Sequence, residues 1–318
     1  ISVNHFKAIH LEATREEDRL KIGVHRPDDV IWSYEDISAP MENIETRCRE
    51  MLEALNRAGR KNGGDPDVVE KLKELGRILC DELLTAGIKK TIKKTDADYL
   101  ILNLDERLVH IPWELLCLGE QFLCQQFNMG RLVKTRRKAA ENGNRKLVRP
   151  LKMWVLANPE GDLAGADSEA FQICRYIDEI NVEGAFVDAF IDSEISPAMI
   201  KEKIRNYDFV HFAGHAHYDG QNQGKSGWKL LNGNLTAGDI QKMVGGAAMP
   251  ALVFSNACQS ARTEKWEDKQ HLEGESFGLA NAFMLAGVRH YVGTIWEITD
   301  EPSSRFSLEF YKHLLSGG

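Results

Sequence analysis

No apolar run in this sequence approaches the roughly 18 residues that a membrane-spanning helix requires, and the cleanest stretch, 247–254, has about the length of a buried strand. No membrane association is expected. Positive charge is not in excess either: 40 Lys and Arg stand against 48 Asp and Glu, for a net charge of -8, whereas a dedicated nucleic-acid binder is usually basic. Direct, sequence-specific nucleic-acid binding is therefore not expected. The six cysteines, Cys48, Cys80, Cys117, Cys124, Cys174 and Cys258, form no C-x-x-C pair. That argues against a zinc ribbon or a small disulfide scaffold and for a reducing, cytoplasmic setting. Those that follow apolar neighbours, such as Cys80, Cys117 and Cys174, read as small buried hydrophobes. The chain opens on Ile1 with no charged segment leading into an apolar one, so the expectation is an excised piece of a longer protein rather than a secreted precursor.

What is present is an ordinary globular composition, 43% hydrophobic and 28% charged over 318 residues. At about 150 residues per domain this is one large domain or two modest ones. A basic stretch separates two halves. Arg131, Lys134, Arg136, Arg137, Lys138, Arg145, Lys146 and Arg149 face a single acid, Glu141, with Asn142-Gly143-Asn144 as a turn signal and Pro150 as its end. This reads as a linker or long surface loop, with a processing site or an anion-contacting strip as the other readings. The domains expected are 1–135, a basic linker over 136–150, and 151–318.

Before the linker, helical periodicity covers 41–60 and 67–91, and strands are expected over 99–104 and 131–133. After it, strands at 151–157, 185–191, 208–212, 251–255 and 288–295 alternate with helices at 167–180, 197–205, 237–244, 274–286 and 302–315. Alternation of this kind with continuous apolar strands predicts an α/β fold, a largely parallel sheet sandwiched by helices. Its chemistry belongs just beyond the carboxyl ends of strands.

Two strands end in unusual residues. Asp208-Phe209-Val210-His211-Phe212 runs into Ala213-Gly214-His215-Ala216-His217, and Ala251-Leu252-Val253-Phe254-Ser255 into Asn256-Ala257-Cys258. In a parallel sheet both tips lie on one edge, where a histidine and a cysteine can meet. A free thiol is only a few per cent thiolate at neutral pH, so a nucleophilic cysteine needs an imidazole to take its proton. The alternative is a core cysteine and a core histidine with no chemistry. His215-Ala216-His217-Tyr218-Asp219 also matches the start of an H-x-H-x-D-H two-metal motif, but Gly220 stands at the sixth position. A metal-dependent hydrolase using His215, His217 and Asp219 is therefore a second alternative. The segment 220–226 imitates a P-loop with three residues between its glycines where four are required, and is a decoy.

The strings Val210-His211-Phe212-Ala213-Gly214-His215, Leu252-Val253-Phe254-Ser255-Asn256-Ala257-Cys258 and Gly287-Val288-Arg289-His290-Tyr291-Val292-Gly293-Thr294-Ile295-Trp296, with Phe310-Tyr311, resemble the successive signatures of the CHAT family, caspase-like cysteine proteases of clan CD related to separase. Ile111-Pro112-Trp113-Glu114-Leu115-Leu116 resembles its upstream I-P-W-E-L-L element. The resemblance implies a silent caspase-like half over 1–135 and an active half over 151–318. It also implies His215 as general base and Cys258 as nucleophile with no obligatory third acid, and the backbone N–H groups of Ala216 and Cys258 as oxyanion donors; no cofactor or metal is expected. The family usually has Gly where Ala216 stands.

For the S1 pocket the resemblance points to Asp300, closing a W-x-V-T-D-like element that begins at Trp296, and to Asn256, where arginine-specific metacaspases carry Asp. The first favours a basic P1 residue; the neutral second weakens that preference. The insertion over 259–273, with Trp266, is a substrate-gripping lid or an inert loop. CHAT domains often follow TPR repeats or other sensors in bacterial antiviral defence, including the TPR-CHAT protease on the RNA-guided effector of type III-E CRISPR systems. The resemblance thus implies a protein substrate, a regulatory sensor domain or effector complex as partner, and low activity of the chain alone until that sensor shifts the site's conformational population. A catalytically silent interaction module is the remaining alternative.

Overall fold

A computed structural model describes residues 7–60, 66–135, 145–180, 187–219, 222–257, 278–296 and 298–316. The chain divides into two compact units, Ile1–Arg136 and Arg137–Gly318.

In the first unit, β1 (Ala8–Glu16), β2 (Arg19–His25) and β3 (Glu35–Ser38) lead into α1 (Met41–Arg60), α2 (Pro66–Leu83) and α3 (Ala86–Lys94). Then follow β4 (Tyr99–Asp105), β5 (Cys117–Leu118), β6 (Gln121–Phe122), α4 (Leu123–Gln126) and β7 (Asn128–Lys134). The main sheet has the order β3-β2-β1-β4-β7, with β1, β4 and β7 parallel and the β1–β2–β3 edge antiparallel. Its strands bury alternate residues, Ile9, Leu11 and Ala13 on β1 and Leu100, Leu102 and Leu104 on β4, the period expected where one face packs on a core. The single helix predicted over 67–91 is two: Thr85 leaves helical geometry and its side chain accepts from the Ile88 N–H at 3.2 Å, capping α3.

The I-P-W-E-L-L element is a structural plug here. Trp113 is fully buried and its Nε1–H donates to the Leu108 carbonyl at 3.0 Å. From β7, Arg131 donates through Nε to Glu114 Oε1 at 2.6 Å and also to the carbonyls of Val109 and Ile111. Burial would push the Glu114 carboxyl up, but the adjacent Arg131 charge and hydrogen bond outweigh it and hold it below its ordinary value.

The second unit contains β8 (Leu151–Ala157), α5 (Ala164–Ile180), β9 (Val187–Asp192), α6 (Pro197–Lys203), β10 (Phe209–Ala213), β11 (Ala216–His217), β12 (Gly227–Leu230) and β13 (Gly233–Thr236). It ends with α7 (Ala237–Gln241), β14 (Leu252–Asn256), α8 (Leu279–Leu285), β15 (His290–Gly293) and α9 (Asp300–Ser316). Five parallel strands lie in the order β15-β14-β10-β8-β9. Both faces are covered, which is why these strands read as continuous apolar runs. On one face Trp154, Val210, Phe212 and Val253 pack with Ile200 of α6, Ile240 of α7 and Phe283 of α8. On the other, Met153, Val155, Phe209 and Phe254 pack with Ile173 and Ile177 of α5 and Tyr311 of α9.

Further features depart from the sequence reading. The small antiparallel sheet β11-β12-β13 was not expected. It is fastened by Trp228, fully buried, stacked on Phe212 with centroids 4.3 Å apart and donating from Nε1 to Ser255 Oγ at 2.8 Å. Gly227 is obligatory there, since a Cβ would lie 2.1 Å from the Leu235 carbonyl oxygen. The basic stretch is also not uniformly a solvated loop: besides Arg131, Arg145 is an internal brace. Its Nε donates to Asp208 Oδ1 at 2.5 Å and its Nη1 to the carbonyls of Arg205 and Ala248, while Asp208 Oδ2 accepts from the Lys152 N–H at 2.8 Å. Residues 136–144 of that stretch lie outside the described residues.

Candidate active site

β10 occupies the middle of the second sheet, flanked by β8 and β14, and the carboxyl ends of all three open on one edge. Ala213 pairs in register with Asn256 and Ala157. Beyond that register the ladder continues, with the Gly214 N–H donating to the Asn256 carbonyl at 3.3 Å and the Asn158 N–H to the Ala213 carbonyl at 2.9 Å. His215 thus emerges between two strand ends that are themselves tied to its own. Gly214 suits this crowding: a Cβ there would sit 2.9 Å from Phe212 Cζ and 3.2 Å from Pro159 Cδ.

The His215 side chain is 38% exposed and its Nε2 lies 3.2 Å from Asp162 Oδ2. His211, two residues earlier, points into the core. Its Nδ1 is 3.1 Å from the Tyr311 hydroxyl and its Nε2 is 3.0 Å from Glu169 Oε1. Burial, together with the Glu169 charge, pushes the Tyr311 hydroxyl well above its ordinary value. The two histidines therefore play different parts, one at the rim and one in the structure beneath it.

Asn256 is half-buried, and its Nδ2 donates to Glu169 Oε2 at 2.6 Å. The Ala257 carbonyl accepts from Thr294 Oγ1 at 2.7 Å, so the end of β14 is held from both sides. Cys258 and the insertion over 259–273 lie outside the described residues. Among the S1 candidates, Trp296 is half-buried in the bend after β15, and Asp300 is the first residue of α9, its side chain outside what is described.

Ala216 pairs with Trp228 in the antiparallel ladder, and the Lys229 N–H donates to the His215 carbonyl at 2.9 Å. That bond makes Ala216–Trp228 a non-hydrogen-bonded pair, so the Ala216 N–H faces away from β12. A donor in the position expected of an oxyanion ligand is thus not consumed by the hairpin.

The H-x-H-x-D set is not assembled. Among the described residues, the ligand-type atoms converging within 4.8 Å of one another at His215 are those of Glu160 and Asp162. His217 is exposed on β11, and Asp219 uses Oδ1 to accept the Asn222 N–H at 2.8 Å. The P-loop imitation is followed by strand β12, not by a helix.

Two residues of the site were missed by the sequence reading. Glu169 lies on the buried stripe of α5 with Ala166, Ala170, Ile173 and Ile177, and a glutamate on an apolar stripe was the signal that it binds something inside. Asp162, in a polar loop, carried no signal.

A parallel five-stranded sheet covered by helices on both faces, with a histidine at the tip of its central strand, is the architecture of caspase-like proteins. A family model for the CHAT domain matches residues 69–318, and the chain belongs to the CHAT-domain family. The comparison with curated proteins finds no match. Among the described residues, no helix is long and apolar enough to cross a membrane.

Proposed function

We propose that this chain is a cysteine endopeptidase in which His215 is the general base and Cys258 the nucleophile. The observation that supports it most is the register of β10 and β14: Ala213 pairs with Asn256, and Gly214 bonds to the Asn256 carbonyl, so the tips that carry His215 and lead to Cys258 leave the sheet side by side. His215 takes the thiol proton, the thiolate sulfur attacks the scissile carbonyl carbon, and the tetrahedral oxyanion is held by the N–H groups of Ala216 and Cys258. The C–N bond then breaks, the imidazolium returns its proton to the leaving amine, and water hydrolyses the thioester. Each oxyanion donor is worth about 10² to 10³ in rate.

The substrate in this reading is a partner protein with a basic P1 residue, received near Asp300, Trp296 and Asn256. A sensor domain or effector complex, such as TPR repeats and an RNA-guided CRISPR effector in cytoplasmic bacterial defence, gates the site. D300N is expected to slow cleavage after Lys or Arg selectively in a peptide library; an unchanged P1 profile removes Asp300 from the pocket.

The test of the nucleophile is trace iodoacetamide labelling from about pH 5 to about pH 9, mapped by mass spectrometry. Cys48, Cys80 and Cys117 are buried, and burial pushes the Cys80 and Cys174 thiols up to about 11. Cys124 is exposed, but partial desolvation and the nearby Glu114 charge raise its thiol as well. Cys258 is expected to label first and well below about pH 8. Uniform slow labelling of all six would favour a silent interaction module.

A further inference from the structure

We propose that Asp162 is a positioning residue for His215, fixing the imidazole as its Nε2–H tautomer and leaving the Nδ1 lone pair as the base. This rests on the assignment of His215 as general base. Asp162 Oδ2 lies 3.2 Å from His215 Nε2, and an ionised carboxylate is only an acceptor, so the proton between them belongs to Nε2. The free nitrogen is then Nδ1. When Nδ1 takes the thiol proton, Nε2–H stays on Asp162 and the carboxylate stabilises the imidazolium; when the proton passes to the leaving amine, the same tautomer is restored.

The loop that carries Asp162 is built for the purpose. Asn158, almost fully buried and in left-handed backbone conformation at φ 46°, begins it. Its N–H is bonded to the Ala213 carbonyl, its Oδ1 accepts from the Leu163 N–H at 2.8 Å, and its Nδ2 donates to Asp167 Oδ2 at 2.8 Å. Gly161, at φ 76°, donates its N–H back to the Asn158 carbonyl at 3.0 Å. One asparagine thus clamps the loop at both ends and fastens it to β10 two residues before His215, while Pro159 packs on Gly214 between them. Asp162 is presented to the imidazole by a frame that shares a hydrogen bond with the imidazole's own strand.

The partners are 59% and 38% exposed, so the contact is screened and its effect modest beside that of a buried triad acid. D162A is expected to lower kcat by about tenfold with KM unchanged, and D162N, which keeps an acceptor without the charge, to fall between. The decisive reading is the ¹⁵N spectrum of the imidazoles, with the His215 signal identified by its loss in H215A: wild type shows the Nε2–H tautomer, and D162A a mixture. E160A, which removes the neighbouring acid of the same cluster, leaves the tautomer unmoved. A D162A protein with the wild-type tautomer, or with unchanged or raised kcat, overturns the proposal. Cleavage that survives H215A or C258A overturns the dyad instead, so the two failures are distinguishable.

Discussion

Replacement of Cys258 by Ala is expected to abolish cleavage of any protein or peptide substrate without lowering the thermal midpoint. His215→Ala is expected to do the same. Members of a nucleophile–base pair act as a unit, so each single substitution is expected to remove at least about 10³-fold of kcat and the double substitution little more. The nearby His211 is the control that gives the experiment its meaning. It lies in the same strand and is fully buried between Glu169 and Tyr311, so His211→Ala takes a polar partner from both at once and costs about 1–3 kcal/mol of stability. The expected pattern is therefore a crossed one: H215A inactive and stable, H211A unstable. Urea unfolding and cleavage measured on the same preparations check it. Equal stabilities and equal activities for the two histidine variants contradict the assignment, and full cleavage by C258A ends it.

How much of this was legible in the sequence follows from the range over which each feature is decided. The strands β8, β10 and β14 were readable because both of their faces are buried and every residue from Phe209 to Ala213 is apolar or internally bonded. Their tips were readable because a parallel sheet delivers its carboxyl ends to one edge. The β11–β13 hairpin was overlooked because two strands of four residues and one of two carry too little pattern. Even so, Asn232-Gly233, with φ 64° and 138°, was the hairpin signal in plain view. The break between α2 and α3 was missed because periodicity runs past it, and only the Thr85 cap marks it.

Charge was the least legible level. Arg131 and Arg145 lie in a run of cations that any composition rule assigns to solvent, yet each chelates a carboxylate and two carbonyls. Their partners Glu114 and Asp208 come from other elements, so no local window could pair them. Asp162 is the same case at the candidate site, since its contact with His215 exists only once the β8–α5 loop is clamped to β10.

Glu169 carries the largest expected effect outside the dyad. One carboxylate, 3% exposed, receives the Asn256 amide on one oxygen and faces His211 with the other, joining α5 to the two strands whose tips bear the candidate chemistry. Burial alone would raise its pKa. The hydrogen bond and charge of His211, followed by hydrogen bonds from Ser307 and Asn256, outweigh that and hold it below the ordinary value of 4.5. A depressed carboxyl contributes stability that is fully present above its unfolded value and is lost as pH falls through the folded one. Glu169→Ala is thus expected to cost about 3–5 kcal/mol at neutral pH, because His211 and the Asn256 amide lose their acceptor together. Glu169→Gln, which keeps the shape and removes the charge, should cost less, about 1–3 kcal/mol. Its deficit against wild type should shrink as unfolding is repeated from about pH 7 down to about pH 3, because over that range the unfolded chain takes up a proton that the folded carboxyl, held below 4.5, resists. A deficit that stays constant across the range would mean that the folded carboxyl titrates as the unfolded one does, and a deficit that grows as pH falls would mean that Glu169 is neutral in the folded chain. Asn256 would then be anchored by an ordinary hydrogen bond, not by a charge.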